Sequence, residues 1–190
     1  MRLVTFQDKY VTDYLEQAEV EGYPTIYECK EINFLQKEEN LYNKVINKMK
    51  EQLKISMERQ VIPVWCWVVP KDQELNDEYI DILYNRYTPK CDTLTVLELD
   101  VPKEFIFITN FDLWYDLKFK IRFNEQVTDK DIEGLFIKQK GATIQACIPF
   151  IDKQFIKSCK IIDDPMRNDY SQTEDEVAQL QSKGQFLDEF

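Results

Sequence analysis

The sequence predicts an α+β fold: a single domain with a mixed sheet of about five or six strands, helices packed on the sheet, and an acidic C-terminal tail. Short strands and amphipathic helices follow one another without strict βαβ alternation. Apolar residues make up 44% of the 190 residues, which is enough to form a core. No internal repeat or linker separates two cores, so we expect one domain over residues 1–163 and a mobile tail over residues 164–190.

The N-terminal elements follow from their apolar spacing. Residues 2–7 are rich in β-forming side chains and predict the first strand. Asp8 then opens a helix that ends at Gly22, a typical residue after a helix C-terminus. The apolar side chains of this helix are Val11, Leu15 and Ala18.

The middle of the chain predicts a long helix followed by a buried strand. The helix over residues 38–59 has an apolar stripe that recurs every four residues. This stripe consists of Leu41, Val45, Met49, Leu53 and Met57. Residues 61–69 are apolar on both alternating faces, which predicts a strand buried on both sides.

The next segments predict short elements with recognisable boundaries. Asn76 is positioned to cap a helix that runs through residue 87. Residues 93–100 and 105–108 predict two further strands.

Residues 110–124 carry two conflicting patterns. Leu113, Trp114 and Leu117 suit a helix capped by Asn110. From residue 117 to residue 123, apolar and basic side chains alternate, which is typical of a strand. We predict helix for the first half.

The C-terminal part predicts two helices and two strands. Thr128 and Asp131 have capping-box spacing and open a helix over residues 128–139, which Gly141 ends. Residues 142–148 predict a strand. A short helical turn is expected around residues 152–159, and a last strand over residues 160–162.

The charge of the chain narrows the choice of partners. Lys and Arg total 24 and Asp and Glu total 35, so the net charge is −11. A nucleic-acid binder or a protein held on an anionic membrane needs clustered basic residues, so both are disfavoured. The acidic tail is compatible with a basic or protein partner.

Two scarce residue types exclude whole classes of chemistry. There is no His, which removes Ser-His-Asp and Cys-His catalysis and His-based metal sites. The chain has only four Gly, and no segment of it matches the glycine-rich phosphate-binding loop of P-loop or dinucleotide-binding proteins. We expect no metal, and an enzyme of this sequence would rely on carboxylates, Tyr, Arg, Gln or a thiolate.

The cysteines predict a reducing compartment. The five Cys are odd in number, spread along the chain and without a Cys-x-x-Cys pair. We expect reduced thiols in a cytoplasm, with Cys66 and Cys147 as small core residues. The longest apolar run, residues 61–70, is too short to span a bilayer, and we expect no signal peptide, because no apolar segment follows a basic N-terminus.

Three segments together resemble a bacterial domain family of unknown function. They are Arg-Leu-Val-Thr-Phe-Gln at residues 2–7, Phe-Asp-Leu-Trp at residues 111–114 and Thr-Ile-Gln-Ala-Cys at residues 143–147. The family pattern continues into Trp and Glu where this chain has Ile148 and Pro149. The resemblance covers about residues 1–163 and implies a shared fold without an assigned activity.

Candidate ligand-binding residues lie at strand ends and helix starts. Arg2, Thr5 and Gln7 could hold a phosphate or ribose, or could form a polar strand edge with a helix cap. Asp112 and Trp114 could form a carboxylate and aromatic platform, or a favourable first helical turn followed by a core Trp.

Four further candidates lie on strands. Trp65 and Trp67 share a strand face and could stack on a base or nicotinamide, or belong to the core. Glu98, with Asp100 on the same face, could serve acid/base chemistry or lie on a solvated sheet face. Gln145 is a polar residue in a buried strand and needs a partner.

Two main functions remain compatible with these residues. The first is a non-catalytic interaction domain in a bacterial cytoplasm, with a protein partner and no cofactor. The alternative, by fold-level analogy, is an enzyme of the ADP-ribosyltransferase kind that uses NAD, with Arg2, Gln145 and Glu98 as the residues to test. A small accessory or toxin–antitoxin protein acting through the tail is a third possibility. The sequence leaves the oligomeric state open.

Overall fold

The computed structural model describes residues 1–29, 38–53, 62–84, 93–137 and 143–163. The strands are β1 (Arg2–Asp8), β2 (Ile26–Tyr27), β3 (Val64–Val68), β4 (Thr93–Asp100), β5 (Phe107–Asn110), β6 (Ile144–Ile148), β7 (Ile151–Asp152) and β8 (Ile156–Asp163). The helices are α1 (Tyr10–Glu21), α2 (Glu39–Leu53), α3 (Asp77–Tyr84), α4 (Phe111–Arg122) and α5 (Asp129–Glu133).

The fold is α+β, as predicted, with a six-stranded antiparallel sheet in the order β5-β6-β3-β1-β4-β8. A second sheet pairs β2 with β7. The described residues form two compact units. Unit 1 holds residues 1–27, 66–84, 93–101 and 152–163, and unit 2 holds residues 28–29, 38–53, 62–65, 102–137 and 143–151. The strand β3 contributes residues to both units.

Unit 1 is built around β1, which pairs antiparallel with β3 and with β4. Consecutive residues of β1 from Leu3 to Phe6 are all buried, so both faces of this strand are covered. Asp77 on α3 bonds Lys160 of β8, and Glu16 on α1 lies near Cys159, the next residue along β8. Because neighbouring strand residues point to opposite faces, α1 and α3 cover opposite faces of this part of the sheet.

Unit 2 has a core between helices α2, α4 and α5 and the strands β5 and β6. Its buried members are Leu41, Val45, Met49, Phe107, Trp114, Leu117, Ile132, Leu135 and Cys147. A Cβ atom on Gly134 would lie 2.9 Å from the Leu113 side chain, so a larger residue there would displace the end of that side chain. Two ion pairs, Lys44 with Asp129 at 3.2 Å and Lys48 with Glu133 at 3.8 Å, add contacts from α2 to α5.

Several predicted boundaries are confirmed. The strand β4 has the predicted bounds, and β1 extends one residue beyond the prediction. Gly22 follows α1 with φ of 73°, a left-handed conformation that glycine adopts without strain. Asn76 accepts a hydrogen bond from the Tyr79 amide at 2.9 Å, and Thr128 with Asp131 forms the predicted capping box.

Other predictions are wrong in extent or type. The segment after residue 117 is helical throughout α4, so the alternating pattern there does not form a strand. The helix after Thr128 ends at Glu133 and is followed by a 3₁₀ turn (Gly134–Phe136). Residues 153–155 form a 3₁₀ turn instead of a longer helix, and β8 begins at Ile156, four residues before the predicted strand. The short strands β2 and β7 were not predicted.

Some predictions fall outside the described residues. They are the end of the long helix with Met57, the end of the helix over residues 76–87, Gly141, and the tail over residues 164–190. The division into a domain and a tail therefore stays a prediction. Among the helices of the described residues, none is long and apolar enough to cross a membrane.

We predict that Asn110→Ala lowers the free energy of unfolding by about 1 kcal/mol, since Asn110 is the N-cap of α4. Its side chain accepts a hydrogen bond from the Leu113 amide at 3.1 Å, and the substitution leaves that donor unpaired. Chemical denaturation measures the change. Asn47→Ala, an exposed position on α2, is the matched control and is expected to leave stability within about 0.5 kcal/mol.

Candidate functional site: the outer face of helix α4

Helix α4 presents large aromatic side chains to solvent. Tyr115 and Phe119 on the helix, and Phe123, the residue that follows its last one, are 62%, 51% and 63% exposed. They follow one another at four-residue intervals, so they lie along one face of the helix. We call Tyr115, Phe119 and Phe123 the α4 surface. Rows of exposed aromatic residues are unusual on a monomer, because these side chains are costly to hydrate.

The rings of the α4 surface contact one another. The ring centroids of Phe119 and Phe123 are 4.4 Å apart. Those of Phe111 and Tyr115 are 6.4 Å apart. These contacts hide part of the rings and restrict their rotamers, but about half or more of each named ring on the α4 surface stays in water.

The inner face of α4 is anchored in the core of unit 2. Trp114 and Leu117 are buried among core side chains. The ring of Trp65 on β3 lies 4.5 Å from the ring of Trp114, and the ring of Tyr42 on α2 meets Trp114 edge-on at 5.0 Å. Trp65 and Trp114 are thus brought together, as parts of the core.

A buried carboxylate also holds the C-terminal half of α4. Glu38, which immediately precedes α2, is 1% exposed. One of its carboxylate oxygens accepts a hydrogen bond from Nε of Arg122 at 2.7 Å, and the other lies 3.4 Å from Nζ of Lys118. The carboxylate raises the pKa of Arg122 through this hydrogen bond and its charge. A buried carboxylate needs such partners, so Lys118 and Arg122 are both fixed in position.

Lys118 connects this ion cluster to the aromatic contacts. Its Nζ donates a hydrogen bond to the hydroxyl oxygen of Tyr42 at 3.3 Å. The same Nζ lies 5.6 Å from the ring centroid of Tyr42 and 5.8 Å from that of Trp114, within the range of a cation–π interaction.

In unit 1, Arg2 and Glu98 form an ion pair across β1 and β4. Nε of Arg2 lies 2.6 Å from one carboxylate oxygen of Glu98, and Ser158 donates to the other at 2.9 Å. Arg2 also donates to the backbone carbonyl oxygen of Gln73. Partial burial raises the pKa of Glu98, but the hydrogen bonds from Arg2 and Ser158, together with the charges of Arg2 and Lys157, outweigh it and lower that pKa.

Asp100 lies on the same sheet face as Glu98 and forms an ion pair with a different group. Its carboxylate lies 3.2 Å from the N-terminal ammonium group of Met1. The hydrogen bond and charge of that ammonium group lower the pKa of Asp100. Glu98 and Asp100 are therefore both stabilised as carboxylates. Neither has the raised pKa that a general acid needs near neutral pH.

Thr5 and Gln7 contact each other on the opposite face of β1 from Arg2. The amide of Gln7 donates to the hydroxyl oxygen of Thr5 at 2.7 Å. The structure thus does not bring Arg2, Thr5 and Gln7 into one cluster. Burial raises the pKa of the Cys66 thiol to about 12, while a hydrogen bond with Thr5 acts in the opposite direction. This buried thiol is a core side chain, as predicted.

The remaining candidates are Trp67, Asp112 and Gln145. Trp67 is buried in unit 1. Asp112 is exposed and accepts a hydrogen bond from the Thr143 amide at 2.9 Å, which ties the start of α4 to the segment before β6. Gln145 is 5% exposed, and within the described part of the chain its side-chain oxygen has no hydrogen-bond partner.

The structure singles out residues that the sequence reasoning missed: Glu38, Tyr42, Tyr115, Lys118, Phe119, Arg122 and Phe123. The four-residue spacing of Tyr115, Phe119 and Phe123 was the sequence signal from which the α4 surface could have been found. The described residues hold no group of three or more Cys, Asp or Glu side chains suited to a metal ion.

No protein family, curated protein or solved structure matches this chain. The resemblance of its three segments to a bacterial domain family therefore stays a prediction.

We predict that Glu38→Gln lowers the free energy of unfolding by about 2 kcal/mol, because two cations lose the charge that they face. This predicted loss is smaller than the loss expected for a fully buried ion pair, because the Arg122 side chain is 53% exposed. Urea denaturation measures the loss. Glu39→Gln, the exposed neighbouring residue, makes the same chemical change, and an equal loss there would contradict the role given to Glu38.

We predict that Glu98→Gln lowers stability at pH 7 by about 1 kcal/mol and that this difference shrinks in acid. The pKa of Glu98 is lowered by folding, so its contribution is present above the unfolded value of about 4.3 and is lost as pH falls through the folded value. Denaturation at a series of pH values from about 7 to about 3 tests this. The exposed Glu104→Gln is the control, and a difference between wild type and Glu98→Gln that is constant with pH would contradict the prediction.

Proposed function

We propose that this protein is a non-catalytic interaction domain that binds a protein partner through the α4 surface. The observation that carries the proposal is the exposure of Tyr115, Phe119 and Phe123 along one helix face. Aromatic residues are enriched in protein interfaces, and binding energy is often concentrated in them.

The anchoring of α4 supports the proposal. A helix whose inner face packs in a core and whose cations bond a buried carboxylate presents its outer face in a fixed orientation. A partner then meets rings that are already ordered, and binding costs less side-chain entropy. The aromatic helix face resembles the anchors with which helices bind grooves in partner proteins.

The proposal includes the cytoplasm of a bacterium as the location. The described cysteines, Cys29, Cys66, Cys147 and Cys159, form no disulfide with one another, which is compatible with a reducing compartment. The three sequence segments that resemble a bacterial family support the source.

The NAD-dependent transferase alternative has weaker support. Arg2 would have to leave Glu98 and the Gln73 carbonyl to hold the phosphates of NAD. Gln145 is buried. These contacts favour structural roles for the proposed catalytic residues.

Site-specific photo-crosslinking tests the interaction proposal. With benzoylphenylalanine in place of Tyr115, irradiation of cells that express the protein should give a discrete adduct heavier than the 22.8 kDa chain. The same group in place of Val20, which is 83% exposed on α1, is the control and should give none. An absence of adducts from Tyr115, Phe119 and Phe123 alike would contradict the proposal.

Thermal unfolding with NAD separates the two functions. A ligand at one hundred times its dissociation constant adds about 2.7 kcal/mol, which raises the midpoint by roughly 5 to 10 °C in a chain of this size. An interaction domain should show no rise with NAD. A rise specific to NAD, abolished by Arg2→Ala, would support the transferase instead.

A further inference from the structure

The outer face of α4 carries charge in a definite order. Asp112 and Asp116 are exposed in its N-terminal half, and Arg122, in its last turn, is exposed as well. The face therefore runs from negative to positive in the chain direction, with aromatic rings between the charges. The helix dipole has the opposite order, positive at the N-terminus, and these charges complement it.

Two pairs of residues on this face are placed symmetrically about Phe119. Asp116 precedes and Arg122 follows it by three residues, which is about 4.5 Å along the helix axis in each direction. Tyr115 precedes and Phe123 follows it by four residues, which is about 6 Å in each direction. A helix with this arrangement is complementary to a copy of itself that runs in the opposite direction.

We propose that the partner of the α4 surface is a second copy of this chain, bound by antiparallel pairing of the two α4 helices about a two-fold axis at Phe119. This inference rests on the proposed function and names its partner. The two Phe119 rings meet at the axis. Tyr115 of each copy lies level with Phe123 of the other, and Asp116 lies level with Arg122.

Charge complementarity is the reason for choosing a second copy. A two-fold interface uses the same patch on both chains, so the patch must complement itself. Antiparallel pairing satisfies this condition, because each acidic half faces a basic half and the two helix dipoles oppose each other. Parallel pairing would instead place Asp116 level with Asp116 and Arg122 level with Arg122.

Arg122 is able to serve both its own chain and the second copy. It bonds Glu38 through Nε, and its side chain is 53% exposed. The guanidinium group has five N–H donors in a planar fork. It can therefore donate hydrogen bonds to a second carboxylate, that of Asp116 in the other chain, while it keeps its bond to the buried carboxylate of Glu38.

The pairing is expected to be weak. A 12-residue helix is about 18 Å long, and two such helices bury less than the roughly 800 Å² per partner of a standard interface. We therefore expect a monomer–dimer equilibrium that depends on concentration in the micromolar range.

Sedimentation equilibrium of the full chain from about 5 to about 500 μM tests the association. The expected mass rises with concentration from 22.8 kDa towards twice that value. Phe119→Asp should weaken dimerisation at least tenfold, because it places two carboxylates at the axis. Val20→Asp makes an equally large change at an exposed apolar residue and should leave the equilibrium unchanged. Circular dichroism establishes that both variants are folded.

A charge variant tests the pairing order. Asp116→Arg should weaken dimerisation at least fivefold, since it then faces Arg122 of the second copy. Glu125→Arg makes the same charge change just beyond the helix, outside the paired positions, and is the matched control. Equal effects of the two substitutions would overturn the proposed order.

Disulfide formation between copies tests the axis. Phe119→Cys should crosslink to itself under mild copper-catalysed air oxidation at least ten times faster than Tyr115→Cys, because only residues on the axis face their own counterpart. The wild-type chain, oxidised in parallel, gives the background from its native thiols. Faster self-crosslinking at Tyr115→Cys would show a parallel arrangement and overturn the inference.

The failure of this inference is distinguishable from the failure of the proposed function. A chain that stays monomeric at every concentration overturns the second-copy inference. If photo-crosslinking at Tyr115 still gives an adduct with a different protein, the interaction function stands with another partner. If neither association nor any adduct is found, both are overturned.

Discussion

Burial of the Glu38 carboxylate constrains the whole of unit 2. A charged group that is 1% exposed must have cations beside it, and the two that it has are one turn apart on α4. Lys118 and Arg122 therefore cannot rotate towards solvent without leaving a buried charge unpaired. This requirement fixes the rotation of α4 about its own axis. Once that rotation is fixed, Trp114 and Leu117 must point inward and the aromatic stripe must point outward.

The exposure of the stripe is thus a consequence of how the helix is held. On α4 the large apolar side chains occupy both faces, and only one face can enter the core. The inner face packs against Trp65, Tyr42 and the core side chains of the unit. Water covers the outer face in the isolated chain. Covering Tyr115, Phe119 and Phe123 with another protein surface recovers the free energy lost by exposing them, and this is the physical basis of the binding function that we propose.

The sequence was sufficient for elements defined by local signals. Asn76, Asn110 and the pair Thr128 and Asp131 cap helices where the spacing of polar and apolar residues predicted them. The strands β1 and β4 each contain a run of β-branched, aliphatic or aromatic residues, at residues 3–6 and 93–97, and both strands were located from that pattern. The start of β8 was missed, because the residues before it suited a helical turn and pairing with β4 decides their conformation.

The candidate site was much less predictable. Glu38 and Arg122 are 84 residues apart, and no local pattern shows that two such residues meet. Phe119 belongs to the alternating pattern and not to the helical stripe of Leu113, Trp114 and Leu117, and an aromatic side chain is generally expected inside a protein. Arg2 and Glu98 were considered for catalysis and were correctly placed on strands. In the structure they form an ion pair with each other, so both side chains stabilise the fold.

The most direct test of pairing through α4 follows the environment of Phe119 itself. Fluorine NMR of a chain with 4-fluorophenylalanine at that position reports solvent access through the shift difference between H₂O and D₂O. We expect a clear difference in dilute protein that fades as concentration rises and the ring becomes covered by the second copy. A difference that stays unchanged up to the highest concentration would contradict pairing through Phe119.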